Sequence, residues 1–379
     1  MLKLSLKMLL GDKPKYWGLV AGVAFATLLI TQQVSIFVGL MSRTAGVIYG
    51  VKEADIWVMD KRVRYIEEVE PMRDIELYNV RGVEGVQWAV PFYKGLYSIR
   101  MLDGLTQQVQ LIGVDDMSLV GLCSKVVLGD PLTIQEPQKG MIDLNGYHFT
   151  WPDQKLELNK YVELNDNRLM ISAVCDANPT FFTFPIIYVS YNTVMEMIPP
   201  QRKRLPFVLV KVKSGYSVDW VKEQIEKKTE LQALTQEEFA WRSIRYILER
   251  TGIAINFGLT IFLGALIGAA ITAQTLYIFV TENLKQFGAM KAIGFTNKQL
   301  AGLVMIQAAF VGFTGYGLGI GITASFLKIG SYFPAFKGFC LHWQIAVGSL
   351  GLIILLICLS VVFSLRKLFK LDPSIVFRG

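Results

Sequence analysis

Four long stretches without a charged residue constrain this chain most strongly. They cover residues 16–42, 251–281, 299–327 and 343–365 and hold 27, 31, 29 and 23 residues. Each is longer than the roughly 20 residues that a helix needs to cross about 30 Å of hydrocarbon. Only 18% of the chain is charged and its mean hydropathy is +0.40, whereas a soluble domain is about a quarter charged. The sequence therefore predicts four transmembrane helices.

The flanks of these stretches carry the charge asymmetry of the chain. The residues before Trp17, the segment 282–298 and the residues after Leu365 together hold eleven Lys and Arg against three Asp and Glu. Basic flanks stay in the cytoplasm, so we expect both termini there. This asymmetry across a membrane accounts for the pI near 9.0, so the basic charge does not indicate a nucleic-acid partner.

The predicted fold class is an α-helical membrane protein with four transmembrane helices and a large α+β extracytoplasmic domain inserted between helices 1 and 2. The N-terminal segment alternates Leu with Lys3 and Lys7, which suits an interfacial amphipathic helix and equally an ordinary basic flank. The predicted segments are a cytoplasmic amphipathic segment (1–16), transmembrane helix 1 (17–41), the extracytoplasmic domain (42–249), transmembrane helix 2 (250–281), a cytoplasmic helix and corner (282–298), transmembrane helix 3 (299–327), a short outer loop (328–342), transmembrane helix 4 (343–365) and a cytoplasmic tail (366–379).

Stretches rich in β-branched and aromatic residues predict the strands of the outer domain. NGYHF and LNDNRL are expected hairpin corners. Aromatic residues in this domain could form its core or meet a lipid or a protein partner. The predicted strand stretches are ADIWVMD, GVQWAVPFYKGLYSIRM, QQVQLIGVD, YVELNDNRLMISAVC, FPIIYVSY and PFVLVKVKSG, and the aromatic residues are Trp57, Trp88, Phe92, Tyr93, Tyr97, Phe181, Phe182 and Phe184.

Two helices are expected at the end of the outer domain, over 217–230 and 235–250. The second opens with Thr235 and Glu238 at capping-box spacing. No Pro intervenes before Thr281, which predicts one long helix, or two stacked end to end, from the outer domain into the second span. A flexible hinge at Thr251 and Gly252 is the alternative.

The spans carry packing signals and no charged path. Gly264 and Gly268, and likewise Gly317 and Gly321, have the spacing that permits close approach of helices, which indicates a homodimer only weakly. No Asp, Glu, Lys or Arg lies in the charge-free stretches, which argues against an ion relay through the membrane.

Catalytic motifs are missing from the sequence. It has two His, and no HExxH, Cys-x-x-Cys, nucleophile elbow or P-loop. We therefore expect no catalytic residue, no metal site and no directly bound cofactor. Cys123 and Cys175 both lie in the outer domain and could pair, although spacing alone cannot establish a disulfide.

The segment between the second and third stretches, ENLKQFGAMKAIGFTNKQ, has the pattern of an amphipathic helix followed by a sharp corner. Gly294 occupies the position of a helix-ending glycine, and Thr296 with Gln299 has the form of a capping box. Such a helix could dock on a protein or lie in lipid headgroups. At helical spacing Leu284, Phe287, Met290, the stem of Lys291 and Ile293 are expected on one side, and Glu282, Lys285 and Gln286 on the other.

This segment resembles the cytoplasmic loop of FtsX/MacB-type (type VII) ABC transporter permeases. The likeness runs from Phe287 through Gly288, Met290 and Lys291 to Gly294, with Gln286 where the family usually has an acidic residue. The tail LDPSIVFRG resembles the closing motif of the family, and ADIWVMD together with the loop is most similar to the DevC group of exporter permeases.

The resemblance implies a homodimer bound to a separate ABC ATPase subunit, which would hold ATP and Mg²⁺. The loop helix would then be the ATPase-docking or coupling helix, with Glu282, Leu284, Lys285, Gln286, Phe287, Met290, Lys291, Ile293 and Gly294 as its site residues. It further implies a bacterial inner membrane location, contact with membrane lipid, a periplasmic membrane-fusion adaptor, an outer-membrane channel, and mechanotransmission to the outer domain for export. Family alternatives are an FtsX-like scaffold that controls a cell-wall hydrolase or sensor kinase, and a lipoprotein-extraction permease.

Overall fold

The computed structural model describes residues 2–152, 154–199, 205–333 and 336–369. The chain divides into two compact units, one formed by Met1–Gly39 with Gly252–Gly379 and the other by Leu40–Thr251. The first contains four helices long and apolar enough to cross a membrane, and the second is an α+β domain inserted between the first and second of them. The predicted fold class is confirmed. The tail motif LDPSIVFRG includes residues outside the described part of the chain.

The first unit consists of long helices. Their apolar sequences suit a membrane, where a helix satisfies its own backbone hydrogen bonds. A short amphipathic helix precedes them, and a second short helix joins the second span to the third. The helices are α1 (Leu2–Gly11), α2 (Lys13–Thr44), α9 (Ile253–Glu282), α10 (Leu284–Ala292), α11 (Asn297–Gly330) and α12 (Trp343–Phe369).

Small residues let α2 approach two other helices closely. A Cβ added at Gly268 would lie 2.2 Å from the Cβ of Ala26, so the Gly264/Gly268 pair packs against α2 of the same chain. Gly317 and Gly321 have no such neighbour within 4 Å. On α11 the contact with α2 comes instead from Gly315 and Gly319. The second predicted glycine pair therefore has no close partner within this chain.

A polar contact accompanies this glycine packing. The hydroxyls of Thr31 and Thr323 lie 2.7 Å apart, and both side chains are fully buried. Thr323 also donates to the carbonyl of Gly319 at 2.9 Å. Close packing and a hydrogen bond therefore act at the same place, as expected where lipid supplies no hydrophobic drive for helix association.

The outer unit is built on ten hydrogen-bonded strands in the order β10-β1-β9-β2-β3-β8-β5-β7-β4, with β6 pairing β2 and β7. Most neighbours are antiparallel, while β3 with β8 and β5 with β7 are parallel. The strands are β1 (Ile56–Met59), β2 (Val86–Met101), β3 (Thr106–Val114), β4 (Val126–Gly129), β5 (Lys139–Asp143), β6 (Lys160–Leu164), β7 (Asn167–Cys175), β8 (Ile186–Ser190), β9 (Phe207–Val212) and β10 (Gln232–Thr235).

Six helices accompany this sheet: α3 (Gly46–Gly50), α4 (Ile75–Arg81), α5 (Leu144–Thr150), α6 (Tyr191–Met197), α7 (Val218–Thr229) and α8 (Gln236–Arg250), with a 3-10 turn at Pro131–Gln135. All six predicted strand stretches contain strands, whereas β4, β5 and β10 were not expected. LNDNRL forms the expected corner, with positive φ at Asn165 and Asp166 between β6 and β7.

The prediction for NGYHF was wrong, because these residues belong to α5. The carboxylate of Asp143 accepts hydrogen bonds from the backbone N–H of Gly146 at 3.0 Å and of Ile186 at 2.7 Å. Asp143 thereby caps the N-terminus of α5 while holding the start of β8. This distant second partner overrides the local turn preference of Asn-Gly.

For Thr235 to Thr281 we predicted one long helix, or two stacked end to end, with a hinge at Thr251 and Gly252 as the alternative. The single helix is wrong: two helices form, and the break between them falls at Thr251 and Gly252. The capping box at Thr235 is present, with Glu238 accepting from the Thr235 N–H at 2.8 Å. The helix ends at Arg250, however, because Thr251 is extended (φ −117°, ψ 153°). The Thr251 hydroxyl donates to the carbonyl of Ile247 at 2.6 Å, which satisfies a terminal acceptor of α8.

Four of the eight aromatic residues singled out in the outer domain are buried in its core: Trp57, Phe92, Tyr93 and Tyr97. Trp57 is fully buried, and its ring packs against those of Phe92, Phe207 and Phe239 at centroid distances of 5.3, 5.7 and 5.5 Å. Tyr93 and Tyr97 are buried in a second cluster, and Trp88 is half-buried. Of the Phe181, Phe182 and Phe184 group, Phe182 is 41% exposed.

Gly319→Leu should destabilise the membrane unit. A Cβ at this position would lie 2.5 Å from the Thr27 Cβ and 2.7 Å from the Ala24 carbonyl oxygen. Overpacking of this kind costs about 1–3 kcal/mol, so the melting temperature in detergent should fall. Gly321→Leu is the matched control, because it introduces the same side chain two residues away where no atom lies within 4 Å. Equal melting temperatures for the two variants would contradict the helix packing.

Candidate functional site

The segment from Glu282 to Gln299, named here the 282–299 corner, joins α9 to α11 and is built from local hydrogen bonds. Helix α9 ends at Asn283, whose side-chain amide donates to the Phe279 carbonyl at 2.8 Å. The chain resumes helical geometry at once, since the Phe287 N–H donates to the Asn283 carbonyl at 3.0 Å. Helix α10 is therefore a separate helix set off from α9 by one residue.

A Schellman motif ends α10. The Gly294 N–H donates to the Lys291 carbonyl at 3.1 Å, and the Phe295 N–H donates to the Met290 carbonyl at 3.0 Å. Gly294 has φ +105°, a conformation that residues with a Cβ avoid. Phe295 and Met290 both pack against the same apolar cluster, which is the contact that accompanies this motif. The predicted stop at Gly294 is confirmed.

Helix α11 begins immediately afterwards with a capping box. The Gln299 side chain accepts from the Thr296 N–H at 2.8 Å, and the Thr296 hydroxyl accepts from the Gln299 N–H at 3.4 Å. Leu300 is fully buried, and Phe295 packs against the cluster that contains it, as a hydrophobic staple requires. Only Phe295 separates the two motifs, so the corner is rigid.

The buried side of α10 faces the interior of its own unit. Phe287 is fully buried with Leu300 and Leu303 of α11 and with Leu9 of α1. Leu284 and Met290 are partly buried against the same cluster. The residue that best marks the apolar stripe, Phe287, therefore stabilises the corner and is not available at the surface.

Helix α1 packs against this apolar cluster. The buried Ser5 hydroxyl donates to the Leu303 carbonyl at 2.9 Å, and the Gln307 side-chain amide donates to the Ser5 carbonyl at 3.1 Å. Leu9 is fully buried. Helix α1 thus packs on α11 through one face. Its alternating Leu and Lys residues indicated only that it is amphipathic.

The exposed side of α10 differs from the expected one in one residue. Lys285 and Gln286 are exposed, as expected, but Ile293 is 81% exposed and does not share the side of Phe287. The helical angle from Phe287 to Ile293 is about 240° at 100° per residue, so Ile293 lies beside Gln286. We name Lys285, Gln286 and Ile293 the exposed face of α10.

An ion pair links the corner to the beginning of α2. The ammonium of Lys15 contacts the carboxylates of both Asp12 and Glu282. These side chains are 29–49% exposed, so the pair contributes little to stability, about 0–1 kcal/mol. It nevertheless joins the start of α2 to the end of α9. The sequence did not predict this role for Lys15, because Lys15 and Glu282 are far apart in the chain.

No catalytic or metal site accompanies the corner. Among the described residues no group of three or more His, Cys, Asp or Glu could hold a metal ion. The arrangement is suited to contact: a short rigid helix with an apolar residue, an amide and a cation on its open side.

A family model matches across the corner. Residues 258–373 match the FtsX-like permease C-terminal family. An uncharacterised ABC transporter permease of Methanocaldococcus jannaschii is 23% identical over 184 residues, which are 46% of this chain and 46% of the relative. The macrolide export ATP-binding/permease protein MacB of Salmonella typhi is 21% identical over 190 residues, covering 48% of this chain and 29% of MacB. The chain thus spans less than half the length of these relatives.

Two solved extracytoplasmic domains of transporters align with about half of this chain. The periplasmic region of MacB from Actinobacillus actinomycetemcomitans aligns with a TM-score of 0.37 and 16% identity, over 54% of this chain and 96% of that one. The extracellular domain of the noncanonic ABC-type transporter YknZ from Gram-positive bacteria aligns with a TM-score of 0.37 and 14% identity, over 48% and 98% of the two chains.

Gly294→Ala should loosen the corner. A residue with a Cβ held at positive φ costs about 1–3 kcal/mol, so amide hydrogen exchange should accelerate over residues 284–300. Gly302→Ala is the control, because Gly302 lies within α11 with no atom within 4 Å of an added Cβ. That change should stabilise the helix by up to about 1 kcal/mol. If Gly294→Ala left exchange unchanged, the Schellman stop would not be what holds the corner.

Proposed function

We propose that this chain, which carries an FtsX-like permease domain and is related to MacB-type ABC transporter permeases, is the membrane-spanning subunit of an ABC exporter. A separate ATPase subunit would bind ATP and Mg²⁺, since the sequence contains no P-loop of its own. The chain would lie in the inner membrane with both termini in the cytoplasm and residues 42–249 outside.

The observation that supports this proposal most is the construction of α10. Its buried side is anchored by Phe287, its C-terminal end is fixed by the Schellman motif, and Ile293 is left 81% exposed. Ile293 is an exposed, branched apolar residue on a rigid helix. Docking of a partner would therefore bury it at little cost in conformational entropy. Lys285 and Gln286 beside it would supply polar contacts at the rim.

Lipid headgroups are the competing partner for an amphipathic helix. A helix lying in headgroups buries its apolar stripe in the membrane, but here the main residue of that stripe, Phe287, is already buried within the protein. The side that remains open carries one apolar and two polar residues, which favours a protein surface. We therefore take α10 as the ATPase-docking helix.

The helix geometry also suggests how motion would reach the outer domain. Helix α2 runs unbroken from Lys13 to Thr44, whereas helical geometry is interrupted at Thr251 between α8 and α9. Lys15 at the start of α2 is paired with Glu282 at the end of α9. We propose that docking at α10 moves α2 through this junction and the shared apolar cluster, and that α2 carries the mechanotransmission.

Export is the favoured output because MacB relatives are named as macrolide export proteins. A homodimer of this chain, a periplasmic membrane-fusion adaptor and an outer-membrane channel complete the proposed assembly. With Gly264 and Gly268 packed against α2, a dimer contact would use other residues than this pair.

Ile293→Asp should weaken binding of the cognate ABC ATPase subunit about fivefold or more, since a central apolar contact is worth over 1 kcal/mol. Its own melting temperature should not change, because Ile293 is exposed. Binding is measured by titrating the purified subunit onto the permease in nanodiscs, and coupling by the stimulation of ATP hydrolysis.

Two further variants separate docking from folding. Met117→Asp places the same charge on an 87% exposed residue of the outer domain and should leave binding unchanged. Phe287→Ala should lower the melting temperature, with a loss of about 3–5 kcal/mol for a buried Phe. Normal binding and stimulation with Ile293→Asp would rule out the exposed face of α10 as the docking surface.

A further inference from the structure

Two cysteines of the outer domain meet where β4 joins the sheet. Strand β7 ends at Cys175, which pairs with Val126 at the start of β4. The Asp176 N–H donates to the Lys125 carbonyl at 2.8 Å, which extends this pairing by one step. The chain then bends at Ser124, and Cys123 lines the same pocket as Asp176 and Ala177, the two residues that follow Cys175.

The two thiols have different surroundings. Cys175 is fully buried, whereas Cys123 is half-buried and lines an open pocket of about 60 Å³. Lys52, Lys125, Asp176 and Asn178 line the same pocket, so the sulfur of a polar reagent can reach Cys123 at the pocket mouth. A reagent from solvent therefore reaches Cys123 first.

The two thiols also differ chemically. Interaction with the Cys175 thiol lowers the pKa of the Cys123 thiol, and a backbone hydrogen bond with Lys125 acts in the same direction. The same interaction, together with burial, raises the pKa of Cys175. The accessible thiol is thus the better nucleophile and the buried one stays protonated.

We propose that Cys123 and Cys175 are a reactive dithiol that closes to a disulfide by exchange with a small disulfide donor at the mouth of this pocket. The Cys123 thiolate attacks one sulfur of the donor, forms a mixed disulfide and releases the first donor thiol. With Cys123 held in the mixed disulfide, Cys175 gives up its proton and its thiolate attacks Cys123 Sγ. The second donor sulfur leaves as a thiolate and takes up a proton to become the second donor thiol. Two protein thiols are oxidised and one donor disulfide is reduced to two thiols.

The bond would fasten the segment before β4 to the segment after β7. That second segment contacts α3: the Asn178 side chain donates to the Gly46 carbonyl at 3.4 Å, and an added Cβ at Gly46 would lie 2.2 Å from the Pro179 carbonyl oxygen. The dithiol is therefore placed to stiffen the part of the outer domain that follows α2. An oxidising compartment for it rests on the proposed placement of residues 42–249 outside the cytoplasm.

The test uses the full chain in detergent, reduced and then incubated with graded oxidised glutathione. After denaturation and alkylation, peptide mass spectrometry should show Cys123 linked to Cys175, with neither residue alkylated. Cys358 in α12 is the internal control that should stay alkylatable, whereas the exposed Cys340 can take up glutathione and is counted separately. This first test uses the wild-type protein, so its result does not depend on the folding of any variant.

Single variants test the order of attack. Cys175→Ser should accumulate a glutathione adduct on Cys123, while Cys123→Ser should leave Cys175 unmodified at the same glutathione concentration. A wild-type protein in which both thiols stay alkylatable, or in which either pairs with Cys340, would overturn the proposal. No ATP-binding subunit takes part, so failure here would leave the proposed coupling function untouched, and failure of coupling would leave the dithiol untouched.

Discussion

The hydrocarbon of a membrane offers no hydrogen-bonding partner, so every backbone turn of this chain must occur where its polar groups can be satisfied. The 282–299 corner meets that constraint within a few residues. The last carbonyls of α10 bond to the N–H groups of Gly294 and Phe295, and Thr296 and Gln299 satisfy the first donors of α11. A corner satisfied in this way is stiff. Such stiffness would suit the docking role proposed for α10.

The same constraint explains why much of this site could be predicted from the sequence. Helix stops and starts depend on neighbouring residues, so Gly294 at C′ and the Thr296 box were predicted correctly, as was the box at Thr235. Strands with continuous β-branched and aromatic stretches were likewise found, because their buried faces require such residues. The four spans followed from length and hydropathy alone.

What could not be predicted depends on partners distant in the chain. The buried side of α10 is fixed by its contacts with Leu9 and Leu300, which lie on α1 and α11. Asp143 turned a hairpin signal into a helix because it also binds the Ile186 N–H. The edge strand β4 is exposed along its whole length, so it carries no burial pattern. In each case the missing information was tertiary.

Glycine spacing illustrates the same limit within the spans. Gly317 and Gly321 have the same four-residue separation as Gly315 and Gly319, but only the latter pair faces α2. On that face the buried hydroxyls of Thr31 and Thr323 lie 2.7 Å apart, and each also donates to its own helix, to the carbonyls of Thr27 and Gly319. Both hydroxyls therefore have a partner without this contact, which adds to the packing and does not select the row. A small-residue pattern thus permits close packing, and the facing side chains of α2, Val23 and Thr27, determine where it happens.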